Sequence, residues 1–245
     1  MSDVFAGAWH TVAPRQGDRH GPLAPLLLLL TLVTGFVDAY SYLVLGHVFV
    51  ANMTGNVVFC GFALASAGGF SLPASITALV AFAAGALVGG RVSRDRREHR
   101  ARLLYLALLI QTTLVAASYV VAEIAKPTAS SGNRYILICL LGLAMGVQNA
   151  AARALAVPDL TTTVLTMTIT GTSADSRAAG GQGGKSGRRL LSVLTMFLGA
   201  LCGALAVAHG HPGVALLVAF LLLIGATGYT GRLLDSTEPW VTPLV

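Results

Sequence analysis

Hydrophobic residues run along this chain in long blocks separated by short polar gaps. A helix needs about 20 mostly apolar residues to cross a bilayer. Six blocks meet that length or approach it: Leu23–Leu45, Leu72–Gly90, Leu103–Val121, Tyr135–Ala152, Leu190–Ala208 and Gly213–Tyr229. Two more are shorter or more polar. Phe49–Leu64 carries Asn52, Thr54 and Asn56 around Gly55, and Leu160–Thr172 is rich in Thr. The pattern predicts an all-α, polytopic transmembrane bundle of about six spans with two broken or re-entrant segments. Residues 1–22 hold Pro14, Arg15, Asp18, Arg19 and Pro22 without a long apolar run, and read as a polar tail. Arg15 and Arg19 ahead of Leu26–Leu30 imitate a signal peptide. The apolar run is too long for a signal h-region and no small-x-small site follows it, so a retained first span is expected.

Composition sharpens this picture. The 245 residues are 55% hydrophobic and 11% charged, with a mean hydropathy of +0.74. A soluble domain carries roughly a quarter of its residues as Asp, Glu, Lys or Arg. This chain cannot cover itself with a water-facing surface, which excludes a soluble protein, and disorder with it. Twenty-eight glycines fit closely packed membrane helices. The net charge of +6 does not point to nucleic acid, because the basic residues punctuate apolar blocks as juxtamembrane charge does. Cys60, Cys139 and Cys202 sit inside apolar segments without C-x-x-C spacing. They are expected to behave as small hydrophobes, with neither a disulfide nor a metal, and no cofactor is expected.

An internal repeat emerges on aligning the halves. Gly35-Phe36-Val37-Asp38-Ala39 matches Gly146-Val147-Gln148-Asn149-Ala150. With one residue inserted, Asn52-Met53-Thr54-Gly55-Asn56 falls on Val164-Leu165-Thr166-Met167-Thr168, and Gly85-Ala86-Leu87-Val88-Gly89 falls on Gly199-Ala200-Leu201-Cys202-Gly203. The expected organisation is a cytoplasmic tail (1–22), a first membrane repeat (23–122), a periplasmic linker (123–133), a second repeat (134–231) and a C-terminal tail (232–245).

The positive-inside rule decides the orientation. If all eight segments span with the N-terminus inside, nine basic residues are cytoplasmic and seven are not. If the two short segments enter and leave on one side, fourteen are cytoplasmic and only Lys126 and Arg134 are outside. A seven-span arrangement gives twelve and four. Six spans with both termini inside is preferred. Three spans per repeat is an odd number, so the second repeat must run through the membrane upside down, a recurring transporter design.

The run Gly35–Ala39 followed by Gly46-His47-Val48-Phe49-Val50-Ala51-Asn52-Met53-Thr54-Gly55-Asn56 resembles the signature of the YoaK family, also called DUF1275. Gly146–Ala150 followed by Pro158-Asp159-Leu160-Thr161-Thr162-Thr163 resembles a second signature of that family. The resemblance covers roughly residues 23–230. It implies a bacterial, multi-pass inner-membrane protein of about six spans and supplies no activity. His47 departs from the pattern, where a second small residue is expected.

Candidate chemistry concentrates in the polar segments. Asp38 lies inside the first span, where a carboxylate costs roughly 2.5–3.5 kcal/mol even on an insertion scale. Such residues mark ion or proton paths, or are satisfied by neighbouring polar groups. Asn52, Thr54, Asn56, Gln148, Asn149, Thr162, Thr163, Thr166 and Thr168 donate and accept hydrogen bonds. They suit a polar solute or a partly dehydrated ion, or glue between helices. Arg91, Arg94, Arg96, Arg97, Arg100 and Arg102 form a basic loop. It serves as a topology determinant or meets anionic lipid at about 1 kcal/mol per residue. Ala179–Ser186 fits a relaxed Walker A pattern but lacks the preceding strand, and reads as a Gly-rich loop. No nucleophile elbow, H-E-x-x-H or paired acidic metal motif is present, so an enzyme is not expected.

The leading expectation is a small secondary transporter or channel-like permease for a polar or ionic solute. Asp38 would be its proton or cation site. The alternatives are a non-transporting scaffold that binds partners and, less supported, an intramembrane enzyme acting on lipid. The partners expected are membrane lipids, a small polar solute or ion, and further copies of the chain; no nucleic acid is expected.

Overall fold

The computed structural model describes residues 2–14, 17–96, 98–126, 131–163, 165–175, 180 and 186–242. Among them run α1 (Ser2–Val12), α2 (Leu23–Val44), α3 (Met53–Leu64), α4 (Leu72–Asp95), α5 (Arg100–Ala125), α6 (Arg134–Leu155), α7 (Leu165–Ala174), α8 (Ser186–Ala208) and α9 (Pro212–Gly231), with no strand. Six helices (α2, α4, α5, α6, α8 and α9) are long and apolar enough to cross a membrane. The protein is a polytopic helical bundle. Within the expected polar tail, Ser2–Val12 is helical and packs on α8.

α2 is the central helix. Leu23, Leu27, Leu30, Val33, Val37 and Tyr40 are all fully or almost fully buried, at spacings of three and four. Outer helices leave large apolar side chains exposed, among them Val80, Leu87, Ile136, Phe197 and Leu221. Hydrocarbon is the solvent that suits such a surface.

Two close crossings set the architecture. Where α2 meets α8, a Cβ on Gly35 would lie 2.5 Å from the Met196 carbonyl oxygen, and one on Gly199 2.2 Å from that of Leu32. Where α4 meets α6, a Cβ on Gly146 would lie 2.2 Å from the Phe82 carbonyl oxygen, and one on Gly85 2.2 Å from that of Leu143. Gly203 similarly faces Phe36 and Ala39, while Gly89 faces Val147 and Ala150. Only glycine permits backbones this close.

The contacts also give chain directions. At both crossings residue numbers climb together, so α2 runs parallel to α8 and α4 parallel to α6. α5 runs against α6, since Arg100 reaches Leu155 while Gln111 reaches Gln148. α9 runs against α5, with Thr112 at Thr227 and Tyr105 beside Gly231. The first end of the bundle therefore gathers the start of α2, the α4–α5 turn, the end of α6, the start of α8 and the C-terminal segment. The second end gathers the end of α2, the start of α4, Lys126, Arg134 and the α8–α9 turn.

The chain leaves α2 and enters α4 at the second end, where Arg134 donates to both the Leu45 carbonyl (3.5 Å) and Ser71 Oγ (3.2 Å). It leaves α6 and enters α8 at the first end, where Arg189 pairs with Asp159 (2.8 Å). Neither α3 nor α7 crosses.

Arg100 departs from the expected lipid-facing loop: it is 3% exposed. Its guanidinium donates to the carbonyls of Arg19 (3.4 Å), Trp240 (3.2 Å) and Leu155. The last turn of α6 presents carbonyls with no helical partner, and a guanidinium has five donors to meet them. It pins the N-terminal segment, α6 and the Pro239–Val241 turn together. Arg91, Arg94, Arg96 and Arg102 are exposed, three of them on helix ends rather than in a loop. Arg97 lies outside the described residues.

Candidate functional site

After α2 the chain turns back at Gly46 (φ 90) and His47 (φ 55) and dips into the bundle. Asp38 sits six residues before the end of α2, about 9 Å deep at 1.5 Å per residue. Its Oδ1 accepts from the N–H of Val50 (3.2 Å) and Ala51 (3.0 Å). Asn56 accepts from the Phe49 N–H (3.0 Å) and donates to its carbonyl (2.6 Å). These bonds meet backbone groups that no helix pairs, which is what allows irregular chain at this depth. From Met53, α3 climbs back to the second end.

Aromatic rings cluster at that end. Tyr42 stacks on Phe49 at 4.9 Å between centroids, Phe49 on Phe59 at 5.7 Å, and Phe59 on Phe70 at 5.0 Å. His47 Nδ1 contacts the Gly69 carbonyl at 3.0 Å and its ring packs on Tyr42.

The second half has its own tether. Asn149 donates to the Met145 carbonyl (2.9 Å) and accepts from Thr163 Oγ1 (2.5 Å). Asp38 and Asn149 occupy matched positions in the aligned halves, and so do Ala51 and Thr163.

Between the starts of α3 and α7 lies a cavity of about 1080 Å³. α4 lines it with Phe82, Ala86, Gly90 and Arg94, one face at a spacing of four. That face runs about 18 Å along the helix. At the inner end stand Ala51, Thr54 and Phe82 with Thr163, Thr166 and Met196. At the mouth, on the first end, Arg94 and Arg153 are exposed.

Residues 26–229 match the family described as "Protein of unknown function (DUF1275)". The chain belongs to this family. It is also 34% identical over 149 residues to the UPF0700 transmembrane protein YoaK of Bacillus subtilis (strain 168). That alignment covers 59% of this chain and 63% of the relative, so the chain spans less than two thirds of the relative's length. No solved structure matches the chain. The DUF1275 region takes in nearly all of α2 and α9, the whole of α3 to α8 and the described cavity wall, and leaves the N-terminal helix and the Trp240 turn outside.

Within this DUF1275 bundle, Asn52, Thr54, Asn149, Thr163 and Thr166 share the cavity wall. Asp38 and Asn56 lie behind it, holding residues 49–51. Gln148 is elsewhere. It accepts from Gln111 (2.6 Å) and donates to Thr34 (2.8 Å), tying α5, α6 and α2. Thr168 is buried on α7. Thr162 is 2% exposed at a positive φ of 63, and its hydroxyl has no partner among the described residues.

Phe82, Ser93, Arg153 and Met196 also line the cavity and did not stand out in the sequence. Arg153 had counted only toward topology. Phe82 and Met196 each stand three residues before the aligned glycines Gly85 and Gly199, a spacing that marks them once the halves are superposed.

Proposed function

We propose that the chain is a secondary transporter for a small polar or ionic solute, built from two inverted repeats, residues 23–122 and 134–231. The carrying observation is the inner end of the cavity. Ala51 and Thr163, Thr54 and Thr166, and Phe82 and Met196 are three pairs of matched positions. A site on a pseudo-two-fold is where inverted-repeat transporters hold their solute. The two glycine crossings support the repeat, since each contact in one has its counterpart in the other.

The arginines of the cavity, Arg94 and Arg153, lie at the first end. The position matched to Arg153 is Tyr42, which is stacked in the aromatic cluster of the second end. Alternating access then consists of opening that cluster while the Arg94–Arg153 mouth closes. The first end is cytoplasmic on this reading, because ten of the twelve Lys and Arg residues among the described ones belong to it.

The test is accessibility. In a chain with Cys60, Cys139 and Cys202 replaced by Ala, Thr54→Cys and Thr166→Cys are exposed to a membrane-impermeant maleimide in inside-out and right-side-out vesicles. Both should label from both faces, faster from the cytoplasmic one. Labelling confined to one face at both positions would favour a non-transporting scaffold and reject transport.

A further inference from the structure

The cavity carries charge of one sign. Among the described residues its wall contains two ionisable side chains, Arg94 and Arg153, and no carboxylate. Neither arginine has an acidic partner among the described residues, where both ion pairs belong to Arg189. A cleft lined by one sign of charge between low-dielectric walls focuses the field and concentrates counter-ions. Arginines at the last turns of α4 and α6 also suit the helix dipoles. That accounts for their presence at helix ends and leaves their joint placement at one cavity mouth to be explained.

The neutral groups agree in sign. Asn52, Thr54, Thr161 and Thr166 supply amide and hydroxyl donors, while the Thr163 hydroxyl donates to Asn149. α3 and α7 both begin at the inner end, so the positive ends of two helix dipoles face it. Asn52 stands at the N-cap of α3 with no side-chain cap bond, which leaves first-turn N–H groups uncapped. Thr162, between two lining residues, keeps a buried hydroxyl with no partner among the described residues. Of the carboxylates close to this wall in the chain, Asp38 lies behind Ala51 with one oxygen occupied by two N–H bonds, Asp159 is paired with Arg189, and Asp95 follows Arg94 outside the lining.

We propose that the solute of this cavity is a small oxyanion, drawn in by Arg94 and Arg153 and held at the inner end by the donors of Asn52, Thr54 and Thr166. The inference rests on the transport reading of the same cavity. It assigns the solute class that reading leaves open. Guanidinium, hydroxyl and backbone N–H groups together are the donor set that suits carboxylate, phosphate or sulfate oxygens. Phe82, Met196 and Ala150 leave an apolar side for an organic remainder.

A phospholipid headgroup offers the same phosphate chemistry, so the test separates the two sources. The full chain is placed in phosphatidylcholine nanodiscs, and its thermal stability is titrated with sodium acetate, phosphate and sulfate. Sodium chloride at matched ionic strength and choline chloride serve as references. At least one oxyanion should raise the melting temperature saturably beyond sodium chloride. Arg94→Gln with Arg153→Gln should weaken that binding about tenfold or more, while Arg91→Gln, outside the cavity, leaves it unchanged. If the double variant does not fold, Thr54→Val provides the same comparison. A shift by choline alone, no oxyanion effect, or an effect that survives the wall substitutions overturns the proposal. So does a shift seen only when phosphatidylglycerol replaces phosphatidylcholine, which assigns the site to a lipid headgroup. The accessibility experiment fails independently. Two-sided labelling without oxyanion binding rejects only the anion, and oxyanion binding with one-sided labelling rejects only transport.

Discussion

Asp38 and Asn149 perform one task in two chemistries. Each uses a side-chain oxygen to hold the chain twelve to fourteen residues ahead, at Val50 and Ala51 in one half and at Thr163 in the other. An amide oxygen suffices in the second half, so Asp38→Asn should keep the fold and lower the melting temperature only slightly. Asp38→Ala should be strongly destabilising, because it leaves two buried N–H groups unpaired at about 1–3 kcal/mol each. Thermal unfolding in detergent, followed by circular dichroism, checks the order. An Asn variant that falls as far as the Ala variant would show that the charge itself is required. The carboxylate was legible in the sequence as an anomaly, since a span rarely carries one. Its target was not, because hydrogen-bond partners twelve residues away follow from how the chain doubles back.

At the scale of elements, the glycines decide which helices can touch. A Cβ placed 2.2 Å from a backbone carbonyl cannot be absorbed by a rotamer change, so the helices must separate. Gly85→Ala and Gly146→Ala should each destabilise the bundle by about 1–3 kcal/mol or more. Gly199→Ala at the matched crossing should do the same. Gly61→Ala should be silent, as nothing lies within 4 Å of its Cβ position. The surviving monodisperse fraction after heating in detergent measures all four. Equal losses at Gly61 and Gly146 would remove the crossings as the organising contacts. The short helices follow a different logic. α3 and α7 are 12 and 10 residues long, about 18 Å and 15 Å at 1.5 Å per residue. Neither reaches across hydrocarbon of roughly 30 Å.

For the whole molecule, the decisive quantity is an odd number of crossings per half. Because α3 and α7 return to the end they left, α2 and α6 run in opposite directions and both described chain ends lie at the first end. Arg96 and Lys126 mark the two ends on the surface. Arg96→Cys should label only from the cytoplasmic face and Lys126→Cys only from the periplasmic face in the cysteine-replaced background. Labelling of both from one face would mean that α5 does not span. The first end is further knitted by buried Arg100, which joins Arg19, Leu155 and Trp240 across the whole chain length.

The sequence by itself determined the class of protein, the six spans and the two interruptions. Hydrocarbon length and the low content of charge are local, additive properties that any window of the chain displays. It also carried the spacing of Gly35 and Gly146, of Gly85 and Gly199, and of Thr54 and Thr166, because the alignment of the two halves is read without a fold. Only the tertiary structure decided what those residues face. Thr54 and Thr166 meet at one cavity, whereas Gln148 beside Asn149 turns away to Gln111 and Thr34. Arg94 and Arg100, six residues apart in one basic run, part company: one reaches the cavity mouth and the other is buried against three carbonyls. Direction on a helix turns 100° per residue and depends on which neighbour packs alongside. A polar residue's function in this bundle is therefore set by the crossings that the glycines permit.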